Sequence, residues 1–543
     1  MAAETPAPLL DVAELRVAFG DQEVVHGVSL RIMPGECIAI VGESGSGKSV
    51  TARAVLGMAG STAGMSSRHL RVRGRELGSA SEREWQRVRG RDAGLILQDA
   101  LVSLDPLRPV GREIEDPLRI HERMPPAERR ARVLELLDRV GMPDPALAAR
   151  QRSGELSGGL RQRALIAAAI ALDPPLLIAD EPTTALDVSV QARILALLDE
   201  IRSRGTGLLL ISHDLAVVGG LADRILVMRD GEILEEGTRD EVLGSPTTAY
   251  TRQLIAAVPS GTPRGVPLVV ADRERMPTPD ATAAAPHAPD TPGSGPLLRL
   301  DGVVKTYRTP DGASFRAVDG VSLELHRGET LGLVGESGSG KTTVARLALA
   351  LESPDAGEVV LDGVPWSRMP ERRRRPLRHR IGAVYQDALS SFDPRWSVGR
   401  ILSDALPVGS AAGVAGLLDQ VGLPASVAAR RPLTLSGGQR QRVSIARALA
   451  ASPEILICDE PVSALDVTIQ AQILDLVDRI QRERGLACLF ISHDLGVVRH
   501  MSDRVAVMRA GRIVEFGDAE RVFASPGHPY TAQLVADSPR LVP

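Results

Sequence analysis

Two near-identical octapeptides, GESGSGKS at 42–49 and GESGSGKT at 335–342, carry the residue types that hold a phosphate. Their glycines let backbone N–H groups close around an anion, and a following helix would aim its positive dipole end at the same place. Lys48 and Lys341 would reach the β- and γ-phosphates of a nucleotide, and Ser49 and Thr342 would offer hydroxyls to Mg2+, a hard cation that prefers oxygen ligands. The candidate nucleotide contacts around them are Gly42, Ser44, Gly45, Gly47 and Val50 in the first copy, and Gly335, Ser337, Gly338, Gly340 and Thr343 in the second.

Three further pairs of motifs follow in the same order. LLIADE (176–181) and ILICDE (455–460) end apolar runs in two carboxylates, as expected in the crevice beyond the carboxyl ends of a parallel sheet. Asp180 and Asp459 would hold Mg2+, while Glu181 and Glu460 would polarise an attacking water. In LLLISHD (208–214) and LFISHD (489–494) an apolar run leads to His213 and His493, suited to sensing the γ-phosphate. LSGGL (156–160) and LSGGQ (435–439) open helical runs with a second anion-ready start, at Ser157, Gly158 and Gly159 and at Ser436, Gly437, Gly438 and Gln439. A second anion site in each half is most simply one that serves the phosphate held by the other half.

These residues need elements to position them, and the elements are written twice. The offset between copies is 293 at the lysines and 279 at the aspartates, so two whole domains are duplicated, not a short solenoid repeat. Apolar runs such as CIAIV (37–41) and TLGLV (330–334) alternate with helical patterns, the signature of an α/β fold with a largely parallel sheet. Val133, Leu136, Leu137 and Val140, and then Val414, Leu417, Leu418 and Val421, repeat helical spacing and stop at Gly141 and Gly422. Helical inserts are expected at about 104–150 and 392–430. Residues 259–296 hold nine prolines and no apolar periodicity, which reads as a linker between domains at 1–258 and 297–543, with C-terminal extensions from about 240 and 520.

Composition narrows the class. The 543 residues carry 64 basic and 68 acidic side chains, a net charge of -4 that argues against a broad nucleic-acid footprint. The Arg-rich stretch ERRRRPLRHR (371–380) lacks interleaved aromatics and reads as a solvated basic face. No window reaches the roughly 18 apolar residues of a membrane span, and the N-terminus shows no secretory pattern. Cys37, Cys458 and Cys488 are too few for a disulfide framework and sit in apolar runs as small buried residues. Only three of the 64 basic residues are lysines, and two of those are Lys48 and Lys341; Lys305 has no evident role. A compact ammonium is kept where a planar guanidinium would not serve.

In sum these motifs resemble the ATP-binding-cassette (ABC) ATPases, over nearly the whole chain outside the linker and termini. GESGSGK[ST], Gln98 and Gln386, LSGG[LQ], [AC]DEP, [TS]ALD and SHD are similar to that family's ordered motif set, present twice. The resemblance implies two tandem P-loop NTPase domains, each a RecA-like parallel-sheet core with an antiparallel β subdomain and a helical insert. It implies ATP and Mg2+ as cofactors, with Gln98 and Gln386 joining the metal ligands, and Phe19 and Tyr307 stacking on adenine. It also implies head-to-tail pairing of the halves. One site would join Lys48, Asp180, Glu181 and His213 to Ser436, Gly437 and Gly438, and the other would join Lys341, Asp459, Glu460 and His493 to Ser157, Gly158 and Gly159.

LQDALVSLDP (97–106), YQDALSSFDPR (385–395) and SPGHPYTAQL (525–534) resemble the ATPase subunits of dipeptide and oligopeptide importers, a group that includes nickel and glutathione importers. That implies two integral-membrane permease subunits at the helical inserts, an extracytoplasmic solute-binding protein, no nucleic acid, and a peripheral place on the cytoplasmic face of a bacterial inner membrane. Two departures stand out. SPTTAYTRQL (245–254) lacks the histidine and proline of its counterpart, and Leu160 replaces the signature glutamine, so the site using Ser157 is expected to turn over more slowly. Twin-cassette translation factors are the alternative class; they typically carry a long charged helical linker, unlike the proline-rich one here.

Overall fold

CIAIV and TLGLV form the strands Cys37–Val41 and Thr330–Val334 with every residue buried, as continuous apolar runs do inside a sheet covered on both faces. The computed structural model describes residues 7–98, 103–183, 186–269, 295–308, 312, 314–407, 413–463 and 465–539. The chain divides into two compact units, the first running to Ile255 and the second from Ala256 to Ser538.

In the first unit a six-stranded sheet runs in the order Glu232–Thr238, Arg224–Arg229, Cys37–Val41, Gly207–Ile211, Leu176–Asp180, Ala93–Ile96. All neighbours are parallel except the first pair. The second unit repeats the order with Arg512–Asp518, Arg504–Arg509, Thr330–Val334, Ala487–Ile491, Ile455–Asp459 and Ile381–Val384. Each unit also has an antiparallel sheet built on one long hairpin, Leu10–Phe19 with Gln22–Ile32 and Leu298–Arg308 with Ser314–Leu325. This is the α/β architecture expected from the sequence. Among the described residues no helix is long and apolar enough to cross a membrane, and Cys37, Cys458 and Cys488 are unpaired and buried.

The helical stretches fall where spacing placed them. Pro126–Arg139 buries Val133, Leu136 and Leu137 and is followed by Gly141 at φ 73; Val414–Gln420 buries Leu417 and Leu418 and is followed by Gly422 at φ 68. Helix Val110–His121 precedes the first and Val398–Ala405 the second. Residues 99–102 and 408–412 of the expected hinge and insert segments lie outside the described residues, as do Thr184, Ala185 and Ala464 of the two [TS]ALD motifs.

Two expectations are corrected. The start of the proline-rich segment is not open linker: residues 259–269 pack on the second unit. Leu268 is fully buried in its core, the N–H groups of Leu268 and Val269 donate to the two carboxylate oxygens of Asp475 at 2.9 and 2.8 Å, Arg264 pairs with Asp503, and His500 Nδ1 lies 3.1 Å from the Thr262 carbonyl. Composition alone reads as an extended coil, but the burial of Leu268 and the contacts with Asp475, Asp503 and His500 fasten the segment. The rest of the expected linker, 270–294, lies outside the described residues. Replacing Asp475 by Ala strands two amide donors, so we expect a loss of about 2 kcal/mol, read as a lower urea midpoint of the full chain; an unchanged midpoint would show that the fastening adds nothing.

The Arg-rich stretch is the second correction. Arg372, Arg373 and Arg375 are exposed, but Arg374 is buried, donating to the Ala350 carbonyl at 2.9 Å with its guanidinium 5.5 Å from the Trp366 ring centre. Arg378 pairs with Glu371, and Arg380 with Glu454 and Asp362. Half of the supposed basic face is structural, because a guanidinium can bond carbonyls and lie on an aromatic ring together.

Candidate functional site

The strand order decides which distant residues meet. Reading across the first unit's sheet, Gln98 follows Ala93–Ile96, Asp180 and Glu181 end Leu176–Asp180, His213 follows Gly207–Ile211, and the glycine-rich loop follows Cys37–Val41. Four motifs far apart in sequence thereby line the carboxyl ends of adjacent parallel strands.

Gly47 adopts φ 100 and opens helix Lys48–Ala54; Gly340 does the same at φ 106 for Lys341–Ala348. Lys48 is buried, and its ammonium donates to the Gly42 and Glu43 carbonyls at 2.7 and 2.6 Å and to Ser46 Oγ at 3.3 Å. Lys341 repeats this with Gly335 and Glu336 at 2.7 and 2.9 Å. The lysine thus bends back over its own loop, its charge held by carbonyl dipoles.

Ser49 Oγ donates to Asp180 Oδ1 at 2.7 Å, and Thr342 Oγ1 to Asp459 Oδ1 at 3.3 Å. Burial pushes the carboxyls of Asp180 and Asp459 above their ordinary range, only partly offset by these hydroxyls. A buried carboxylate beside a hydroxyl is relieved by a bound cation, and one carboxylate with one hydroxyl suits Mg2+, which takes its remaining ligands from phosphates and waters. Among the described residues no cluster of three or more His, Cys, Asp or Glu forms a self-sufficient metal cage.

Glu181 and Glu460 both sit at φ 48, a left-handed conformation uncommon for glutamate, and each donates its N–H to the neighbouring strand, to Ile211 and Ile491 at 2.9 Å. Glu181 Oε1 faces His213 Nδ1 at 3.2 Å while its Oε2 accepts from Gln98 Nε2 at 2.8 Å. In the second unit both partners share Glu460 Oε2, His493 at 3.2 Å and Gln386 at 3.1 Å. Burial raises the Glu460 pKa, but the His493 hydrogen bond and charge outweigh it and leave the carboxyl below its ordinary range. Burial lowers that of His493, and Glu460 more than restores it, above the ordinary value.

The other expected residues lie as follows. Phe19 is exposed at the end of its strand. The Tyr307 hydroxyl donates to Glu352 and also bonds the Thr343 side chain. Lys305, without a role in the sequence reading, gains one: its ammonium binds the Ser353 carbonyl at 2.9 Å and Asp355 at 3.4 Å and lies 5.8 Å from the Tyr307 ring centre. Ser44, Gly45 and Val50, with Ser337 and Gly338, belong to the loops and first helical turn. Ser157 caps helix Gly158–Ala169 by accepting the Leu160 N–H at 3.4 Å. Ser436 caps Gly437–Leu449 likewise, and Gln439 Oε1 also reaches back to the Ser436 N–H at 3.2 Å. Leu160 has no atom to close that reciprocal cap.

A profile of the ABC transporter family matches residues 25–184 and 318–463. The chain belongs to this family. As a member it binds and hydrolyses ATP, and each cassette is followed by a match to the oligopeptide/dipeptide transporter C-terminal region, at 234–284 and 514–543. The ABC chain is 42% identical over 563 residues to the glutathione import ATP-binding protein GsiA of Salmonella choleraesuis, covering 98% of this chain and 89% of that protein. It is 40% identical to the oligopeptide transport ATP-binding protein OppD of Mycobacterium tuberculosis, covering 98% and 99%. The peptidoglycan transport ATP-binding protein YejF of Agrobacterium fabrum is 41% identical, covering 97% and 96%. In a solved complex of archaeal ribosomal stalk protein aP1 with archaeal ribosome recycling factor aABCE1, the matching chain has a TM-score of 0.62 at 20% identity, covering 95% of this chain and 97% of that one, a likeness of fold.

Sequence reasoning missed two residues at the glycine-rich loops. Tyr250 Oη accepts the Glu43 N–H at 3.1 Å, and Tyr530 Oη accepts the Glu336 N–H at 3.2 Å. The available signal was that SPTTAYTRQL and SPGHPYTAQL both keep the Tyr-Thr pair although the three residues before it, TTA and GHP, differ. Glu235 anchors the segment carrying Tyr250, accepting N–H bonds from Thr247 and Thr248 at 2.7 and 3.0 Å and the hydroxyl of Thr251. Burial alone would raise the Glu235 pKa, but these bonds outweigh it and bring it down to about 2, from an ordinary 4.5. A depressed folded pKa stabilises above the unfolded value and is lost as pH falls through the folded one. The chain should therefore lose stability between pH 4.5 and about 2, and Glu235→Gln should lose less over that range, by about 2 kcal/mol, in unfolding midpoints measured against pH.

Proposed function

We propose that the chain is the ATP-hydrolysing engine of an importer for di- or oligopeptides, with glutathione, nickel or another small solute as the alternative cargo. The observation that carries this reading is the oligopeptide/dipeptide transporter C-terminal region behind both cassettes, supported by relatives named for oligopeptide and glutathione import.

In this reading the two cassettes pair head to tail, so that the Lys48 site is completed by Ser436, Gly437, Gly438 and Gln439, and the Lys341 site by Ser157, Gly158 and Gly159. Ser49, Gln98 and Asp180 in one site, and Thr342, Gln386 and Asp459 in the other, hold Mg2+, which when bound neutralises charge on the β- and γ-phosphate oxygens. Phe19 and Tyr307 stack on adenine. Glu181 and Glu460 accept a hydrogen bond from the attacking water, each oriented from its flanks by a glutamine amide and a histidine. His213 and His493 exchange their glutamate for the γ-phosphate oxygen, so that ATP closes the pair and hydrolysis releases it. The cassettes act on the cytoplasmic face of the bacterial inner membrane, where two permease subunits contact the helical inserts and an extracytoplasmic protein delivers solute.

Affinity capture of the chain from detergent-solubilised membranes tests this. Two hydrophobic integral proteins should co-purify, and the complex in vesicles should accumulate labelled peptide only with ATP. Capture of ribosomal proteins instead would overturn the importer reading in favour of a translation factor.

A further inference from the structure

Each of the C-terminal helices that follow the two sheets reaches the glycine-rich loop of its own unit. Helix Ala249–Ala256 carries Tyr250 and helix Pro529–Asp537 carries Tyr530, both buried, with exposures of 6% and 4%. Each phenol oxygen accepts the N–H of the residue after the loop's first glycine, at 3.1 Å for Glu43 and 3.2 Å for Glu336. The carbonyl of that same peptide unit, Gly42 or Gly335, accepts the loop lysine's ammonium at 2.7 Å. One peptide plane is therefore fixed at both ends, by the phosphate-binding lysine on one side and by a tyrosine from the C-terminal helix on the other.

We propose that Tyr250 and Tyr530 are positioning residues of the two ATP sites, setting the orientation of the peptide that supports Lys48 and Lys341. The supports around the tyrosines are built from different residues in the two units yet arrive at the same contact. In the first, Thr248 Oγ1 accepts the Thr251 N–H at 3.1 Å and itself bonds Glu235 at 2.9 Å. In the second, His528 Nδ1 accepts the Tyr530 N–H at 3.1 Å, and Glu515 accepts the N–H groups of Gly527 and His528 at 2.7 and 3.1 Å. Arg229 and Arg509 lie over the tyrosine rings at 4.9 and 4.8 Å from their centres. What is common to both units is the ring, the arginine over it, the glutamate anchor and the hydrogen bond to the loop. The histidine and proline absent from the first copy serve the cap of the helix, which threonines replace there.

The consequence for the reaction follows from the peptide's geometry. An amide whose N–H and C=O are both engaged cannot rotate without breaking one bond, so the lysine's support is set before nucleotide arrives. Burial also pushes the Tyr250 phenol up to about 12, which keeps it neutral through the physiological range. Removing the phenol oxygen loosens a group that grips the substrate, while Glu181 and Glu460, which act on water, keep their own partners. The effect should fall on ATP binding more than on turnover.

This inference rests on the assignment of 42–49 and 335–342 as the phosphate loops. It is tested in the full chain with Tyr250→Phe, Tyr530→Phe and the double variant, which keep the ring and delete only the oxygen, beside the pair Lys48→Ala and Lys341→Ala. We expect the double Phe variant to raise KM for ATP about fivefold to tenfold, with kcat within about twofold. Titration with a fluorescent ATP analogue should show each single variant weakening one of two sites, with the nucleotide-free melting temperature little changed. Unchanged ATP affinity in the double variant, or a loss that merely follows a lowered melting temperature, overturns the positioning role. The lysine pair separates the two readings: undiminished analogue binding by that pair overturns the loop assignment itself, whereas lost binding there with normal Phe variants overturns the tyrosines alone.

Discussion

Replacing Glu181 and Glu460 together by glutamine should lower ATP turnover by about 100-fold or more while ATP still binds. The substitution keeps the size of the side chain and its contacts with Gln98 and Gln386 but removes the negative oxygen to which the proposed attacking water would hydrogen-bond. Both carboxylates are held in a left-handed backbone at φ 48 and flanked by a histidine nitrogen at 3.2 Å, so neither is a free surface acid whose loss would be silent. The single variants should differ from each other. In the head-to-tail reading, Glu181→Gln leaves only the site completed by Ser157, whose helix has Leu160 where Gln439 closes a reciprocal cap in the other. Residual turnover should therefore be lower in Glu181→Gln than in Glu460→Gln, and adding Leu160→Gln to the former should recover part of it. Equal residual rates in steady-state assays would sink the asymmetry; wild-type turnover in the double variant would remove both glutamates from the mechanism.

The second large effect is expected from one methyl group. A Cβ at Gly42 would lie 2.0 Å from the Met228 carbonyl oxygen, and one at Gly335 2.1 Å from that of Met508, each an atom of the adjacent strand's backbone. A main-chain atom of a central strand cannot step aside as a flexible side chain can, so the loop must move. Gly42→Ala or Gly335→Ala should cost about 3 kcal/mol, and if that cost falls on the loop's phosphate-binding shape, nucleotide affinity drops about 100-fold. Gly45 and Gly338 supply the control within the same loops. They have φ 82 and 76, and nothing lies within 4 Å of an added Cβ, so alanine there should cost only about 1 kcal/mol of left-handed strain. Isothermal titration with ATP ranks the four variants; comparable losses at Gly42 and Gly45 would mean that backbone freedom, not the close approach, is what the loop requires.

The extent to which the site was legible follows from how each residue earns its place. Lys48, Ser49, Asp180, Glu181 and His213 carry chemistry through their own types, within short motifs whose strand and helix contexts are local, so a reading of the chain finds them. Tyr250 carries none by itself. Its proposed role rests on a bond to Glu43, 207 residues away, and local periodicity holds no trace of that. Lys305 likewise gained meaning only when the Asp355 and Ser353 groups were brought beneath it. Residues 259–269 depart from what their composition implies for the complementary reason: proline content speaks of the isolated chain, whereas Leu268 and Asp475 hold the segment by burial and hydrogen bonding.

By itself the sequence determined that one cassette is written twice and where its glycine-rich loops, paired carboxylates and histidines lie, with two of the three lysines in those loops. Tertiary structure decided what those residues do to one another. The parallel sheet sets Ala93–Ile96, Leu176–Asp180, Gly207–Ile211 and Cys37–Val41 side by side out of chain order, and thereby seats Glu181 between Gln98 and His213. Strand pairing across such separations is chosen by the burial of apolar faces and the closure of backbone hydrogen bonds over the whole unit, a global balance that no short window of residues contains.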